Sequence, residues 1–172
     1  MDITKETFKG APHTVEVIVR TVLSSQNHYV VRQVAEQVCS EIRSKDTLSD
    51  ALALYHFVCA STRYMHDPRT IELVRAPYRV CEQLMQGQRP TLDCDDMTAL
   101  LAALLLSVGA QVRIVTVAFA NQMYNGERQY SHVFVQFHER KSGEWVALDP
   151  VAGEHTRQML ERTKFAKIYP VA

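Results

Sequence analysis

The sequence lacks several features that would assign it to a common class of protein. Lys and Arg together number nineteen, as do Asp and Glu, so the formal net charge is zero and no basic surface for nucleic acid is indicated. No run of about 18 apolar residues is present that would span a bilayer, and the first residues do not show the basic and then apolar stretches of a signal peptide. We therefore expect a cytoplasmic protein that binds neither nucleic acid nor membrane.

The sequence also lacks paired cysteines. Cys39, Cys59, Cys81 and Cys94 contain no C-x-x-C pair, which excludes the usual zinc, iron–sulfur and dithiol redox motifs. No histidines stand at ligand spacing either. In a reducing compartment, cysteines are usually free thiols that are buried as small apolar side chains. We therefore expect neither a metal nor a cofactor, and one or two reactive thiols at most.

What remains is the composition of an ordinary globular protein. The 172 residues are 47% apolar and 22% charged, and a chain of this length can bury one sizeable core. We predict a single domain over residues 1–172. Residues 1–10 are predicted to be a loose N-terminal arm, because they are polar and end at a Gly10-Ala11-Pro12 break.

Apolar periodicity predicts helices in the first half of the chain. Residues 14–24 fit both a helix and a strand, and Pro12 just ahead favours the helix. Apolar residues at three- and four-residue steps predict a second helix over residues 30–44. A third helix is expected to begin at Asp46, which is a typical capping residue.

The prolines and glycine between residues 67 and 90 predict an irregular segment, apart from a short helical turn around residues 80–86. The clearest element follows in DCDDMTALLAALLLSVGA. Asp93 is placed to cap a buried helix that stops at Gly109, with Asp96 as an acid in its first turn.

The second half of the chain predicts a sheet. The runs VRIVTVAF, SHVFVQF and EWVALDP are rich in β-branched and aromatic residues, which favour strands. Short turn-like segments separate the last two, so we expect an antiparallel arrangement. The tail from Gly153 is predicted to form a short helix and an extended end.

Cys94 occupies the first turn of the leucine-rich helix, where unpaired N–H groups and the helix dipole favour negative charge. A thiol at such a position has a lowered pKa and becomes a nucleophile. The carboxylates of Asp93, Asp95 and Asp96 oppose this effect, since like charge raises the pKa of a thiol. A buried packing cysteine is the ordinary interpretation of the same residue.

Two further residues are placed to assist the thiol. His132 opens one predicted strand and Asp149 ends the next, so a hairpin would bring them together as a base and its orienting acid. The ordinary interpretations are a surface histidine and an aspartate that caps the turn before Pro150.

This order of motifs resembles the transglutaminase-like superfamily of cysteine peptidases and acyl transferases, most closely its short bacterial and phage-encoded members. The resemblance rests on a cysteine at a leucine-rich helix start, a histidine that opens a strand, and an aspartate in LDP that closes the next. It extends upstream through HTVEVIV, VVRQVAEQV and RYMHDPRTIELVRAP.

The resemblance implies an α+β, papain-like core in which the nucleophile helix packs on an antiparallel sheet. It implies Cys94 as the nucleophile, His132 as the general base and Asp149 as the orienting acid. The family usually has a glycine where this chain has Leu92, and a leucine there would narrow the approach to the thiol.

The family's aromatic or amide group that holds the oxyanion has two candidates here, Gln83 and Tyr78. On these grounds we expect a cysteine peptidase or amidase that cleaves a peptide or protein substrate through an acyl-thioester intermediate. One alternative is an amine-accepting acyl transferase that cross-links proteins. The other is a non-catalytic assembly module, such as a component of a phage virion, since a fold does not fix function. The resemblance thus adds a phage-infected host and the virion to the expected locations.

Overall fold

The computed structural model describes residues 3–7, 11–42, 46–66 and 71–171. The helices in these ranges are α1 (Ala11–Ser25), α2 (Tyr29–Ser40), α3 (Thr47–Ser61), α4 (Pro77–Met85), α5 (Cys94–Ser107) and α6 (Thr156–Arg162). The strands are β1 (Ile3–Thr7), β2 (Arg63–Tyr64), β3 (Ile71–Arg75), β4 (Thr91–Leu92), β5 (Val112–Ala118), β6 (Met123–Tyr124), β7 (Glu127–Arg128), β8 (His132–His138), β9 (Trp145–Leu148) and β10 (Phe165–Pro170).

Helix α5 is the centre of the hydrophobic core. Every residue from Asp96 to Leu105 is buried, as a helix without a polar face requires. The Asp93 carboxylate caps the helix by accepting a hydrogen bond from the Asp96 N–H at 2.9 Å. Gly109 follows the helix with a φ of +80°, a conformation that glycine adopts without steric cost. The predicted cap, buried body and stop of this helix are confirmed.

The main sheet has the strand order β10-β5-β8-β9, and each neighbouring pair is antiparallel. Val133, Val135 and Phe137 of β8 belong to the core cluster that contains α5. Phe134 belongs to a second cluster with Met159 of α6, so α5 and α6 cover opposite faces of the sheet. The expected α+β architecture, with the helix of Cys94 packed on an antiparallel sheet, is confirmed.

Three short pairings complete the described strands, and one of them joins β6 to β7 in antiparallel fashion. β2 runs parallel to β4, with Tyr64 opposite Leu92, and the Met65 N–H donates to the Leu92 carbonyl at 2.9 Å. β1 pairs antiparallel with β3. The carboxylate of the buried Asp96 accepts the Arg75 backbone N–H at 2.7 Å, so the end of β3 is bound to the first turns of α5.

The predicted loose arm is wrong for Ile3–Thr7, which forms β1. Strand β3 likewise lies in a segment that was expected to be irregular. Both errors have the same cause: the two strands are far apart in the chain, and their ladder is made by backbone groups that leave little signal in either sequence. The rest of the predicted arm, residues 1–2 and 8–10, lies outside the described residues.

Two helix boundaries also differ from the prediction. Helix α2 ends at Ser40 rather than near Ser44, because the Glu41 N–H bonds to the Cys39 carbonyl in a tighter turn. Helix α4 begins at Pro77, earlier than predicted, because the first position of a helix needs no N–H donor. In the described part of the chain, no helix combines the length and the apolar character that a membrane span needs.

Candidate active site

His132 and Asp149 form the shortest side-chain contact at the site. Their Nε2 and Oδ2 atoms are 2.6 Å apart, the Asp149 side chain is fully buried, and that of His132 is 11% exposed. The other carboxylate oxygen accepts the backbone N–H groups of Val151 at 3.0 Å and Ala152 at 3.2 Å. Because Nε2 faces the acid, Nδ1 is the ring nitrogen left to exchange a proton with another group.

Side chains of α3 donate hydrogen bonds to the loop that carries Asp149. The Tyr55 hydroxyl donates to the Asp149 carbonyl at 3.4 Å, and the Cys59 thiol donates to the Pro150 carbonyl at 3.8 Å. The Gly153 N–H also donates to the Asp149 carbonyl, at 2.8 Å. These contacts hold the carboxylate beside the first residue of β8, where the sequence predicted that a hairpin would bring it.

Cys94 is the first residue of α5, and its surroundings join it to β8. The Thr98 hydroxyl, one turn further along the helix, donates to the Val133 carbonyl at 3.2 Å. The backbone N–H of Val133 lies close enough to the Cys94 sulfur to lower the pKa of the thiol. Since Val133 directly follows His132, the structure brings the thiol to the same end of β8 as the histidine.

The electrostatic balance at the thiol favours the protonated form. Burial raises the pKa of Cys94 well above its ordinary value, and the charges of Asp95 and Asp93 raise it further. The sulfur also donates to Asp95 Oδ1 at 3.6 Å, a bond that only the protonated thiol can make. The carboxylates expected from the sequence to raise the pKa thus act in the same direction as burial, which is the larger cause.

Tyr64 is a site residue that sequence reasoning missed. It is the last residue of β2 and pairs with Leu92 of β4. Leu92 in turn lies two residues before Cys94. Burial raises the pKa of Tyr64 to about 12, with Cys94 as the next contributor, so its hydroxyl is a proton donor near the thiol at neutral pH. Its oxygen is 2.9 Å from Nδ1 and 3.2 Å from Nε2 of His66. A parallel pairing of two residues leaves no periodic signal in the sequence, so the sequence offered no means of finding Tyr64.

The structure also places Leu92, Tyr78 and Gln83, the three residues that were expected to affect access to the thiol or to bind the oxyanion. Leu92 is 1% exposed and belongs to the core. Its side chain therefore does not narrow the approach to the thiol, contrary to the expectation from the sequence. Tyr78, one candidate for the oxyanion, stacks on His28 with ring centroids 4.4 Å apart. Gln83, the other, lies further along the same helix.

The four cysteines are free thiols. Among the residues that the structure describes, no three His, Cys, Asp or Glu side chains are grouped closely enough to hold a metal ion. The side chains that the structure places at this site are a thiol, an imidazole hydrogen-bonded to a carboxylate, and a phenol.

The sequence profile of the transglutaminase-like superfamily matches residues 32–150, which is more than two thirds of the chain. No curated protein matches the sequence. A structure of a proposed protease from Parabacteroides distasonis ATCC 8503 resembles this one with a TM-score of 0.58 at 10% identity, over 83% of this chain and 27% of that one. A proposed cysteine protease from Cytophaga hutchinsonii gives 0.52 at 14% identity, over 98% and 58%.

At such identities the likeness concerns the fold, and this chain spans less than two thirds of either protein. The matched sequence segment begins within α2 and ends directly after Asp149, so it includes α5, β8 and β9. The helix-on-sheet arrangement that carries Cys94 and His132 is the one that the motifs implied. The chain has an α+β, papain-like fold and belongs to the transglutaminase-like superfamily.

Proposed function

We propose that the protein is a cysteine peptidase or amidase in which Cys94 attacks the carbonyl carbon of a peptide or amide bond. The observation that supports this best is the 2.6 Å contact between His132 and Asp149 at the end of β8 that also faces the thiol. An imidazole held in this way keeps one ring nitrogen for a proton, and the buried carboxylate stabilises the imidazolium that forms.

In the first step, Nδ1 of His132 accepts the thiol proton as the sulfur bonds to the substrate carbonyl carbon. The π electrons of the carbonyl move to its oxygen and form an oxyanion. Since the resting thiol is protonated, the proton leaves during the attack rather than before it, so His132 acts as a general base. Asp149 keeps the ring oriented throughout.

The oxyanion needs hydrogen-bond donors that are already in place. The backbone N–H of Cys94, the first residue of α5, has no acceptor within the helix, and the Tyr64 hydroxyl lies near the same sulfur. As the carbonyl re-forms, the carbon–nitrogen bond breaks and the imidazolium of His132 gives its proton to the departing amine. The product of this half-reaction is an acyl-thioester on Cys94.

In the second half-reaction, His132 takes a proton from water while the water oxygen attacks the thioester carbon. Collapse of this intermediate releases a carboxylic acid and returns the proton to the sulfur. We favour water over an amine acceptor, in keeping with the two structurally similar proteins, which are described as proposed proteases. Transfer to an amine on a second protein is the alternative outcome of the same chemistry.

A second candidate is a non-catalytic assembly module, such as a phage virion component, in which the raised pKa of Cys94 would reflect an unreactive thiol. In that case the thiol would be a packing group and the His132–Asp149 pair a structural contact. The two candidates make different predictions for acylation of the Cys94 thiol. In the enzyme this reaction requires His132, whereas in the assembly module it does not.

The test is mass spectrometry after exposure to a peptide-like electrophile with an activated carbonyl. We expect one adduct on the wild-type protein, its loss in Cys94→Ala, and a severe reduction in His132→Ala. Cys39→Ala is the matched thiol control, and His138→Ala, at the opposite end of β8, is the matched histidine control. Both should react as the wild type does. An adduct that persists in Cys94→Ala, or that forms equally well in His132→Ala, would refute the proposed enzyme.

A further inference from the structure

The hydroxyl of Tyr64 has a partner that the proposed mechanism leaves unused. The imidazole of His66 stands edge-on to the Tyr64 ring, with centroids 4.9 Å apart and an interplanar angle of 72°. Both ring nitrogens of His66 are within 3.2 Å of the Tyr64 oxygen. Whichever tautomer the imidazole adopts, one of these nitrogens carries a hydrogen and the other carries a lone pair.

This pair is held next to the nucleophile by backbone bonds. The Arg63 N–H donates to the Pro90 carbonyl at 3.0 Å and the Met65 N–H to the Leu92 carbonyl at 2.9 Å, so the segment that carries both rings is attached to the strand leading into α5. The charges that reach the Tyr64 phenol come from Cys94, Asp93, Asp95 and Asp149. The Tyr64 ring, with the His66 ring packed against it, therefore lies close to the Cys94 thiol.

A phenol can serve an oxyanion only if its hydrogen points at that oxyanion. If the Tyr64 hydroxyl donates to His66, its hydrogen is already engaged and is not available to an oxyanion. If an N–H of His66 donates to the Tyr64 oxygen, the phenol hydrogen is released for another acceptor, and the donated bond makes the phenol a stronger donor.

We propose that His66 is a positioning residue, which donates a ring N–H to the Tyr64 oxygen and so directs the phenol hydrogen to the oxyanion formed on the substrate of Cys94. This inference rests on the proposed function, since it concerns the same acyl transfer. It assigns His66 a role in the rate of acylation and none in the nucleophilicity of the sulfur.

Two reagents separate these roles. p-Nitrophenyl acetate acylates a thiol: a sulfur–carbon bond forms, an oxyanion develops on the carbonyl oxygen, and the ester carbon–oxygen bond breaks to release p-nitrophenolate. Iodoacetamide alkylates a thiol by direct displacement of iodide at a methylene carbon, and no oxyanion forms. Only the first reaction needs Tyr64 and His66.

The variants are His66→Ala, His66→Asn and Tyr64→Phe, with His56→Ala on α3 as the control for loss of an exposed histidine. We expect Tyr64→Phe to slow acylation of Cys94 about 10²- to 10³-fold, as is usual for the loss of one oxyanion donor. His66→Ala leaves the phenol in place and should slow acylation less, about tenfold. His66→Asn should recover most of the loss, because its amide nitrogen can donate from about the position of Nδ1. Iodoacetamide alkylation of Cys94 should stay at the wild-type rate in all of them.

A double-mutant cycle completes the test, since a residue that acts only through Tyr64 has no effect once the phenol hydroxyl is absent. Adding His66→Ala to Tyr64→Phe should leave acylation unchanged. An undiminished rate in His66→Ala, an equal slowing of both reagents, or an additive effect in the double variant would overturn the role of His66.

The proposed function fails separately. If Cys94→Ala still releases p-nitrophenolate at the wild-type rate, or the wild type never acylates at Cys94, the acyl-transfer mechanism is wrong and the inference about His66 falls with it. If Cys94→Ala abolishes the reaction while the His66 variants do not affect it, the mechanism stands and only the inference is refuted.

Discussion

The thiol of Cys94 is 3.6 Å from a carboxylate oxygen of its own chain neighbour, Asp95. The thiol donates its hydrogen to this oxygen, and the negative charge of the carboxylate opposes its ionisation. The resting site thus holds the sulfur in its unreactive form, at the same end of β8 as a histidine that can accept the proton. Reactivity then depends on what happens to that proton when a substrate enters.

Replacing Asp95 with Asn is expected to lower the pKa of the Cys94 thiol. A negative charge beside a thiol raises its pKa, so removing that charge increases the thiolate fraction at any pH below the pKa. Iodoacetamide should therefore alkylate Cys94 faster at neutral pH in Asp95→Asn, and the rise of its rate with pH should shift to lower pH. Peptide-resolved mass spectrometry over a pH series measures both.

The matched control for this prediction is Asp50→Asn. Burial and the charge of Asp50 together raise the pKa of Cys39 to about 11. Removing that charge should therefore speed alkylation of Cys39 and leave the alkylation rate of Cys94 unchanged. Unchanged alkylation of Cys94 in Asp95→Asn would contradict a role for Asp95 and leave burial and Asp93 as the causes of the raised pKa.

Asp149→Asn tests the orienting acid. The amide keeps the size of the side chain but loses the charge that stabilises the His132 imidazolium, so we expect acylation of Cys94 to fall about 10²- to 10⁴-fold. Glu139→Gln is a suitable comparison, because Glu139 is also a buried carboxylate that accepts backbone N–H groups in a turn after a strand. If both variants slow acylation equally, the effect is structural and Asp149 has no catalytic role.

The central helix was predictable because its determinants are local. A capping aspartate, a body without a polar face and a glycine at the stop all lie within one stretch of sequence around α5. The β8–β9 hairpin was predictable for a similar reason, since its alternating residues and short turn are contiguous. These two elements carry Cys94, His132 and the segment up to Asp149, so all three residues could be proposed as candidates from the sequence and the family resemblance.

The rest depended on contacts between distant segments. Tyr64 joins the site only because β2 and β4 pair through a few backbone bonds, and such short pairings have no characteristic composition. The sign of the change in the Cys94 pKa was equally hidden. It is decided by the depth of burial and by the direction in which Asp95 points, and neither follows from the order of residues.

Glu139 makes the stability of the protein depend on pH. Its carboxylate accepts the N–H groups of Lys141 at 2.9 Å and Ser142 at 2.6 Å, and these bonds hold the pKa of Glu139 below its ordinary value of 4.5. Because the pKa is depressed in the folded state, this stabilisation is present above the ordinary pKa and is lost as pH falls through the folded-state pKa.

Glu139→Gln should therefore be less stable than the wild type by a constant amount near neutral pH, and the difference should shrink below about pH 4.5. Urea unfolding at several pH values measures it. Glu154→Gln, at an exposed carboxylate in the turn before α6, should show no such convergence. A Glu139→Gln difference that stays constant into acid would mean that the turn is stabilised by shape rather than by charge.

Asp93 connects the stability of α5 to the position of the thiol, since its carboxylate accepts the Asp96 N–H in the same turn that presents Cys94. Asp93→Ala should lower the free energy of unfolding by about 1 kcal/mol, as is usual for the loss of a capping side chain, while Asp93→Asn keeps an acceptor oxygen and should retain most of that stability. The two variants remove the same charge, so both should lower the pKa of Cys94 and speed its alkylation at neutral pH. Urea unfolding and iodoacetamide kinetics on the same samples therefore separate the two roles of this carboxylate. Equal stability of the Ala and Asn variants would contradict the capping role, and a wild-type alkylation rate in both would contradict the electrostatic one.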